Sequence, residues 1–359
     1  MDATTLIRLG AKHAASVLPE SLYLATGFDL TKPTTIRGVL NDRCNYKCLH
    51  CGCWRLDKFD EMGIDLWIAA MASLKEFLGR FVVQFIGGEP FVKRGFLDLL
   101  ESCRSREIDF GLITNGSAFV RSETVRRLVA TRPMNVDISV DGPTAEIHDH
   151  IRGVPGSLAD IERGIGALVE ERGRAGVSFP IRIKPTINAL NFRAMPDLVR
   201  WTTAIGASSV DINVLGGWTE EARTLLWPTP DEVTELRGVV DELLRMKRAG
   251  APIETSEHHL LGMPDHFLRN PVAPEVGTCR IGLRVYTILP TGLVESCAHF
   301  PPIGDAKTQS AREIWTSALT REARKRTVEC QRGCFYGCMA TKPFKEKVRR
   351  GLMLLAGPS

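Results

Sequence analysis

The chain has 359 residues, 44% of them hydrophobic and 25% charged, with a formal net charge of +4. That is the composition of a globular protein able to bury a large core. So slight a charge excess, with no basic stretch interleaved with aromatics, excludes a nucleic-acid binder, and no apolar run approaches the roughly 20 residues that span a bilayer.

Residues 1–33 read as an N-terminal helical segment, with Ile7, Ala11, Ala14, Ala15 and Leu18 on one face, packed outside the domain that follows. The first strand, 35–40, delivers a loop D-R-C-N-Y-K-C-L-H-C-G over 42–52. Cys44, Cys48 and Cys51 there stand at C-x3-C-x2-C. Three thiolates on one loop can cap three corners of a cubane iron–sulfur cluster and leave the fourth iron open. Zinc sites more often pair C-x2-C with a second pair some distance away, which this loop lacks. Without an export signal, ten cysteines point to a reducing, cytoplasmic setting and to metal ligation rather than disulfides.

Strands then alternate with helices. Strand 81–86 follows helix 64–78, 110–114 follows 96–104, and 135–140 follows 123–130. Strand 181–187 follows helix 158–171, and 210–215 follows 196–204. Six such units over 34–220 predict an α/β fold, an open partial (β/α)6 TIM-like barrel rather than a closed eight-stranded one.

Alternation sets the facing of these strands. Val136, Ile138 and Val140 face the helices, which turns Asp137, Ser139 and Asp141 into the lumen. Ile181 and Ile183 are opposed by Arg182 and Lys184, and Ile212 and Val214 by Asp211 and Asn213. A lumen so polar holds either a polar ligand or ion pairs that fill it. Lys184, Asp211 and Asn213 are the candidates for substrate contact or proton removal.

Residues 221–276 read as a Pro- and Gly-punctuated helical linker with one clear helix, 231–248, capped from Thr229. His258 and His259 are expected as an exposed loop pair. A second cysteine region covers 277–340: Cys279 and Cys297 flank a hairpin of 284–289 and 292–296, a helix spans 310–325, and Cys330, Cys334 and Cys338 follow with Gly333 and Gly337 between them. Cys53 is too near Cys51 to join the same cubane, and Cys103 reads as a buried small hydrophobe. Residues 341–359 form a basic C-terminal tail.

Four short motifs fall in order at the ends of predicted strands: C-N-Y-K-C-L-H-C (44–51), F-I-G-G-E-P (85–90), L-I-T-N-G (112–116), and D-I-S-V-D-G (137–142) with I-R-G (151–153). Together they resemble the radical S-adenosylmethionine (SAM) enzymes. Cys279, G-L-V-E-S-C (292–297), I-G-D (303–305) and A-R-E-I-W-T-S (311–317) resemble the SPASM/twitch extension of that superfamily.

The resemblance implies a [4Fe–4S] cluster on Cys44, Cys48 and Cys51, with SAM chelating the open iron and cleaved to a 5′-deoxyadenosyl radical. His50 stands at a ring-bearing position. Gly87, Gly88 and Glu89 match the segment that receives the SAM ammonium. Ser139 and Arg152 match positions for its carboxylate and ribose, and Asn115 could reach the ribose or the methionine end. One auxiliary [4Fe–4S] cluster is implied, on Cys279, Cys297 and two or three of Cys330, Cys334 and Cys338. These cysteines are too few for the full two-cluster pattern.

The activity expected is hydrogen abstraction from a polar small molecule or peptide, with a flavodoxin- or ferredoxin-type electron donor. An alternative is a ribosomal-peptide maturase that works with a separate leader-binding protein. An iron–sulfur electron carrier without SAM and a zinc module are the more distant readings.

Overall fold

The computed structural model describes residues 17–56, 60–216, 219–270, 279–330, 332, 334 and 335. Parallel strands β1 (Thr35–Val39), β2 (Val82–Ile86), β3 (Asp109–Thr114), β4 (Asn135–Ile138) and β5 (Ile181–Ile183) lie side by side in chain order. Past them come β6 (Thr186–Ile187), β7 (Ser209–Val210) and β8 (Asn213–Val214), of which β7 adds to β5 and completes six parallel strands. This is the expected open barrel, with helices over its outer face.

The packing follows from the alternation. Ile36, Val83, Phe85, Phe110 and Leu112 point outward and are buried in one core with Phe96 of helix Phe96–Ser105 and with Trp67, Met71 and Leu74 of helix Ile64–Leu78. At Gly38 an added Cβ would lie 2.9 Å from the Phe85 ring and 3.1 Å from Trp67, so the missing side chain lets this helix settle on the sheet.

The two expected strands 181–187 and 210–215 each divide into a pair of short ones. Pro185 has no N–H to give the ladder, and the Thr186 N–H turns to the Asp141 carboxylate at 2.8 Å. Beyond this break β6 pairs only with β8.

The C-terminal hairpin is the larger surprise. Strand β9 (Val285–Ile288) pairs in parallel with β1, β10 (Leu293–Glu295) pairs antiparallel with β9, and β11 (Gly304–Asp305) closes that edge. The second cysteine region therefore extends the barrel sheet to nine strands, in the order β11-β10-β9-β1-β2-β3-β4-β5-β7. Gly292, at φ +93°, sits in the turn of the expected hairpin.

Residues 17–34 dock on this C-terminal region; Ile7, Ala11, Ala14 and Ala15, on the helical face expected to pack outside the barrel, lie outside the described residues. Glu20 is 1% exposed and ion-paired to Arg284 at 2.5 Å and Arg280 at 3.2 Å. The Trp315 indole donates to the Thr31 carbonyl at 2.8 Å, and Asp29 pairs with Arg324. The linker also holds more helix than its punctuation suggested. His258 and His259 begin helix Glu257–Phe267, capped by Ser256, and are not in a loop. Pro264 inside that helix disguised it. Helix Pro230–Arg248 has the Thr229–Glu232 capping box that its sequence announces. Among the described residues no helix is long and apolar enough to cross a membrane.

Candidate cluster and cofactor site

A cavity of about 220 Å³ opens at the C-terminal ends of β1 to β4. Cys44, Cys48 and Cys51 line it, with His50, Gly87, Gly88, Asn115, Ser139 and Arg152. Six of the seven cofactor-binding positions singled out in the sequence thus share one space with the three thiols, Glu89 being the exception.

Two glycines are required because two strand ends cross at contact distance. The Gly88 N–H donates to the Asn41 carbonyl and the Glu89 N–H to the Arg43 carbonyl, both at 2.8 Å. A Cβ on Gly88 would sit 2.2 Å from the Arg43 oxygen, and one on Gly87 would sit 2.9 Å from the Asn41 oxygen. Glu89 is 1% exposed and accepts from Thr114 Oγ1 at 2.7 Å, the Asn115 N–H at 2.7 Å and the Phe91 N–H at 3.1 Å. Burial raises its carboxyl to about 6 against the pull of those donors. The donors it was expected to serve come from the protein itself, tying the end of β2 to the end of β3.

The sulfurs have their own polar neighbours. The Tyr46 N–H donates to Cys44 Sγ and the Cys53 N–H to Cys51 Sγ, each at 3.4 Å. Arg152, nearly buried, brings Nη1 to 3.8 Å from Cys48 Sγ while its Nε faces Asp141 Oδ2 at 2.7 Å. Burial pushes the Cys48 thiol up to about 11, while the neighbouring Cys53, through its side chain and its N–H, brings Cys51 down. Burial would raise Asp141 too, yet Arg152 holds it below the usual carboxylate range. His50 is driven by burial to about 4 and so is neutral, its Nδ1 3.9 Å from Asp141 Oδ2 and without a hydrogen-bond partner. Asn115 Nδ2 donates to Asn45 Oδ1 at 2.8 Å and points past it to Cys44 Sγ at 4.0 Å.

Three thiols around one cavity, two capped by backbone N–H groups and one faced by a guanidinium, fit a polarisable, anionic iron–sulfur cluster with one corner free. The glycine-lined rim and the unpartnered His50 nitrogen leave polar contacts for a small molecule at that corner. Among the described residues no three Cys, His, Asp or Glu side chains converge on a single-ion site.

The lumen candidates go elsewhere. Lys184, Asp211 and Asn213 do not line this cavity. Lys184 pairs with Asp211 at 2.8 Å and reaches Asp137 at 3.9 Å. Arg182 clamps both Asp137 oxygens at 2.6 and 2.8 Å and also meets Glu254 at 3.3 Å. On this wall Arg182 and Lys184 neutralise Asp137, and Lys184 also neutralises Asp211.

The far cysteines gather separately. Cys297 and Cys334 each lie within electrostatic reach of Cys279 and Cys330, and of each other, and burial raises the Cys279, Cys297 and Cys334 thiols. Cys338 lies outside the described residues. Gly282, just past Cys279, lets its segment lie against helix Ala318–Val328, because a Cβ there would strike Thr327 Oγ1 at 2.2 Å. Sequence reasoning missed what holds this group: Phe335, next to Cys334, stacks on His259 of the linker. The aromatic beside the cysteine was the available signal.

An open six-stranded barrel carrying a three-thiol loop at its C-terminal rim, with a second thiol group on the same sheet, defines a radical SAM enzyme with an auxiliary cluster. The comparisons agree. The Radical SAM superfamily model matches residues 39–188, and the SPASM iron–sulfur cluster-binding domain model matches 279–339. The chain belongs to the radical SAM superfamily and carries a SPASM domain.

Among relatives, a PqqA peptide cyclase of Methylocella silvestris is 24% identical over 85% of this chain and 80% of its own. An AdoMet-dependent heme synthase of Methanosarcina barkeri is 23% identical over 80% of this chain and 83% of its own. The crystal structure of Streptococcus suis SuiB bound to precursor peptide SuiA superposes with a TM-score of 0.64 at 16% identity, over 87% of this chain and 69% of that one. That last likeness is one of fold.

Proposed function

We propose that this radical SAM enzyme is a peptide maturase, abstracting hydrogen from a residue of a peptide substrate. The observation that carries it is the PqqA peptide cyclase match, which runs over 85% of the chain, well beyond the cofactor-binding half alone. SuiB, a protein of the same fold crystallised with its precursor peptide, supports the same class.

In this reading Cys44, Cys48 and Cys51 hold the SAM-binding [4Fe–4S] cluster, and Cys279, Cys297, Cys330 and Cys334 hold the auxiliary one, with Cys338 as the further candidate. Bound there, SAM and cluster together supply reductive cleavage to methionine and a 5′-deoxyadenosyl radical. The chain's own residues bind and orient. The Gly87–Gly88 rim lets the SAM ammonium approach the backbone, Arg152 and Ser139 receive its carboxylate and ribose, and Asn115 and neutral His50 complete the wall. Asp211 and Asn213, half-buried at the ends of β7 and β8, contact substrate, with Lys184 holding Asp211 in place. A flavodoxin- or ferredoxin-type protein delivers the electron.

A second reading, a porphyrin-type substrate, rests on the heme synthase match over 80% of the chain. The deciding experiment is anaerobic reconstitution with SAM and reductant, offered in turn a library of genome-encoded short peptides and a coproporphyrin. A peptide product two mass units lighter, with stoichiometric 5′-deoxyadenosine, supports the maturase. A decarboxylated porphyrin with unchanged peptides overturns it.

A further inference from the structure

We propose that Asp141 is a positioning residue for SAM cleavage, fixing the Arg152 guanidinium between the Cys48 sulfur and the cofactor cavity. This rests on Cys48 being a ligand of the SAM-binding cluster.

Asp141 is fully buried and held from three elements. Its Oδ1 accepts the Thr186 N–H of β6 at 2.8 Å, its carbonyl accepts Asn191 Nδ2 at 2.9 Å, and its own N–H donates to His148 Nδ1 at 3.1 Å. Only Oδ2 remains, and Arg152 Nε stands 2.7 Å from it, an ion pair without hydrogen-bond alignment. The break in the β4–β5 ladder at Pro185 frees the Thr186 N–H for this purpose.

Arg152 is the last residue of helix Ala145–Arg152, and that end is itself clamped to the cysteine loop. The Leu49 N–H donates to the Ile151 carbonyl at 2.9 Å, and Gly153, at φ +67°, lies so close that a Cβ would be 2.7 Å from the Lys47 carbonyl. With one edge of the guanidinium committed to Asp141, its other donors face Cys48 Sγ at 3.8 Å and the cavity. A guanidinium carries five donors in a rigid fork, so anchoring one edge sets the direction of the rest. Two consequences follow: SAM meets a pre-aimed cation, and the cluster ligand meets a positive charge whose counter-charge is one residue away.

The test is a double-mutant cycle of Asp141→Asn, Arg152→Met and both, in reconstituted enzyme. The readouts are SAM KM against kcat for 5′-deoxyadenosine release, and the potential of the SAM-binding cluster by EPR-monitored redox titration. In Asp141→Asn a negative charge is lost beside the cluster, so its potential rises. SAM KM rises about tenfold or more, the usual size of an outer-shell loss, with kcat less affected. In the Arg152→Met background the added Asp141→Asn change leaves KM where it was. Additive KM effects, or an unmoved potential with normal iron content, overturn the proposal. If Asp141→Asn takes up no iron, Asp141→Glu keeps the charge but displaces the guanidinium. A raised KM then supports the proposal, and an unchanged KM overturns it.

Discussion

Phe335 lies nearly parallel to His259, ring centroids 4.1 Å apart and planes inclined by 13°, and stacks also on His266 at 5.4 Å. Both histidines belong to helix Glu257–Phe267, and His266 Nε2 bonds the Leu215 carbonyl at the end of β8. The linker helix therefore ties the far cysteine loop to the rim of the barrel. Phe335→Ala removes a 7%-exposed ring, a change that costs about 3–5 kcal/mol in a packed core. The expected result is selective loss of the auxiliary cluster, iron falling from about eight to about four per chain. Iron and sulfide counting beside 5′-deoxyadenosine release checks it.

Glu20 offers a test at the other end of the chain. Glu20→Gln leaves Arg284 and Arg280 without their buried counter-charge, and breaking one partner of such a pair costs about 3–5 kcal/mol. Urea unfolding should show that loss. A variant as stable as the parent would mean that residues 17–34 do not anchor the C-terminal region.

Two glycines should behave in opposite ways. Gly166, on the exposed face of helix Ser157–Arg174, has nothing within 4 Å of an added Cβ. Gly166→Ala should therefore raise stability by about 0.5–1 kcal/mol through helix propensity. Gly88→Ala drives a methyl into the Arg43 carbonyl, a backbone atom that cannot swing aside. It should abolish SAM binding, measured by equilibrium dialysis, even where iron uptake survives.

The lumen wall makes a fourth case. Lys184→Met takes a cation from Asp211, which keeps the Thr255 hydroxyl at 3.4 Å, and from Asp137, so thermal stability should fall, by at most about 3–5 kcal/mol for a pair broken on one side. Substrate-free release of 5′-deoxyadenosine should not change per cluster, because Lys184 does not line the cofactor cavity. Asn213→Ala should leave both quantities near the parent values and alter only turnover of the peptide. Differential scanning calorimetry and a nucleoside assay separate the two effects.

Local pattern made most of the strands and the residues of the cofactor rim legible in the chain. Apolar alternation places strands, cysteine spacing is local to one loop, and Gly87, Gly88, Asn115 and Ser139 each lie at the end of a strand that its own pattern predicts. Such features depend on neighbours a few residues away, so they survive translation into a linear string. The pairings between distant segments are properties of the fold. Strand β9 joins β1 across some 250 residues of chain, Glu20 meets Arg284, Phe335 meets His259, and Glu89 spends its carboxylate on β3. Register, burial and buried charge pairing are long-range properties. No periodicity marks which acid will neutralise which arginine once water is gone. Thus Asp141 read as one more lumen aspartate, and became the anchor of Arg152 only when the end of β4 folded over the helix that carries it.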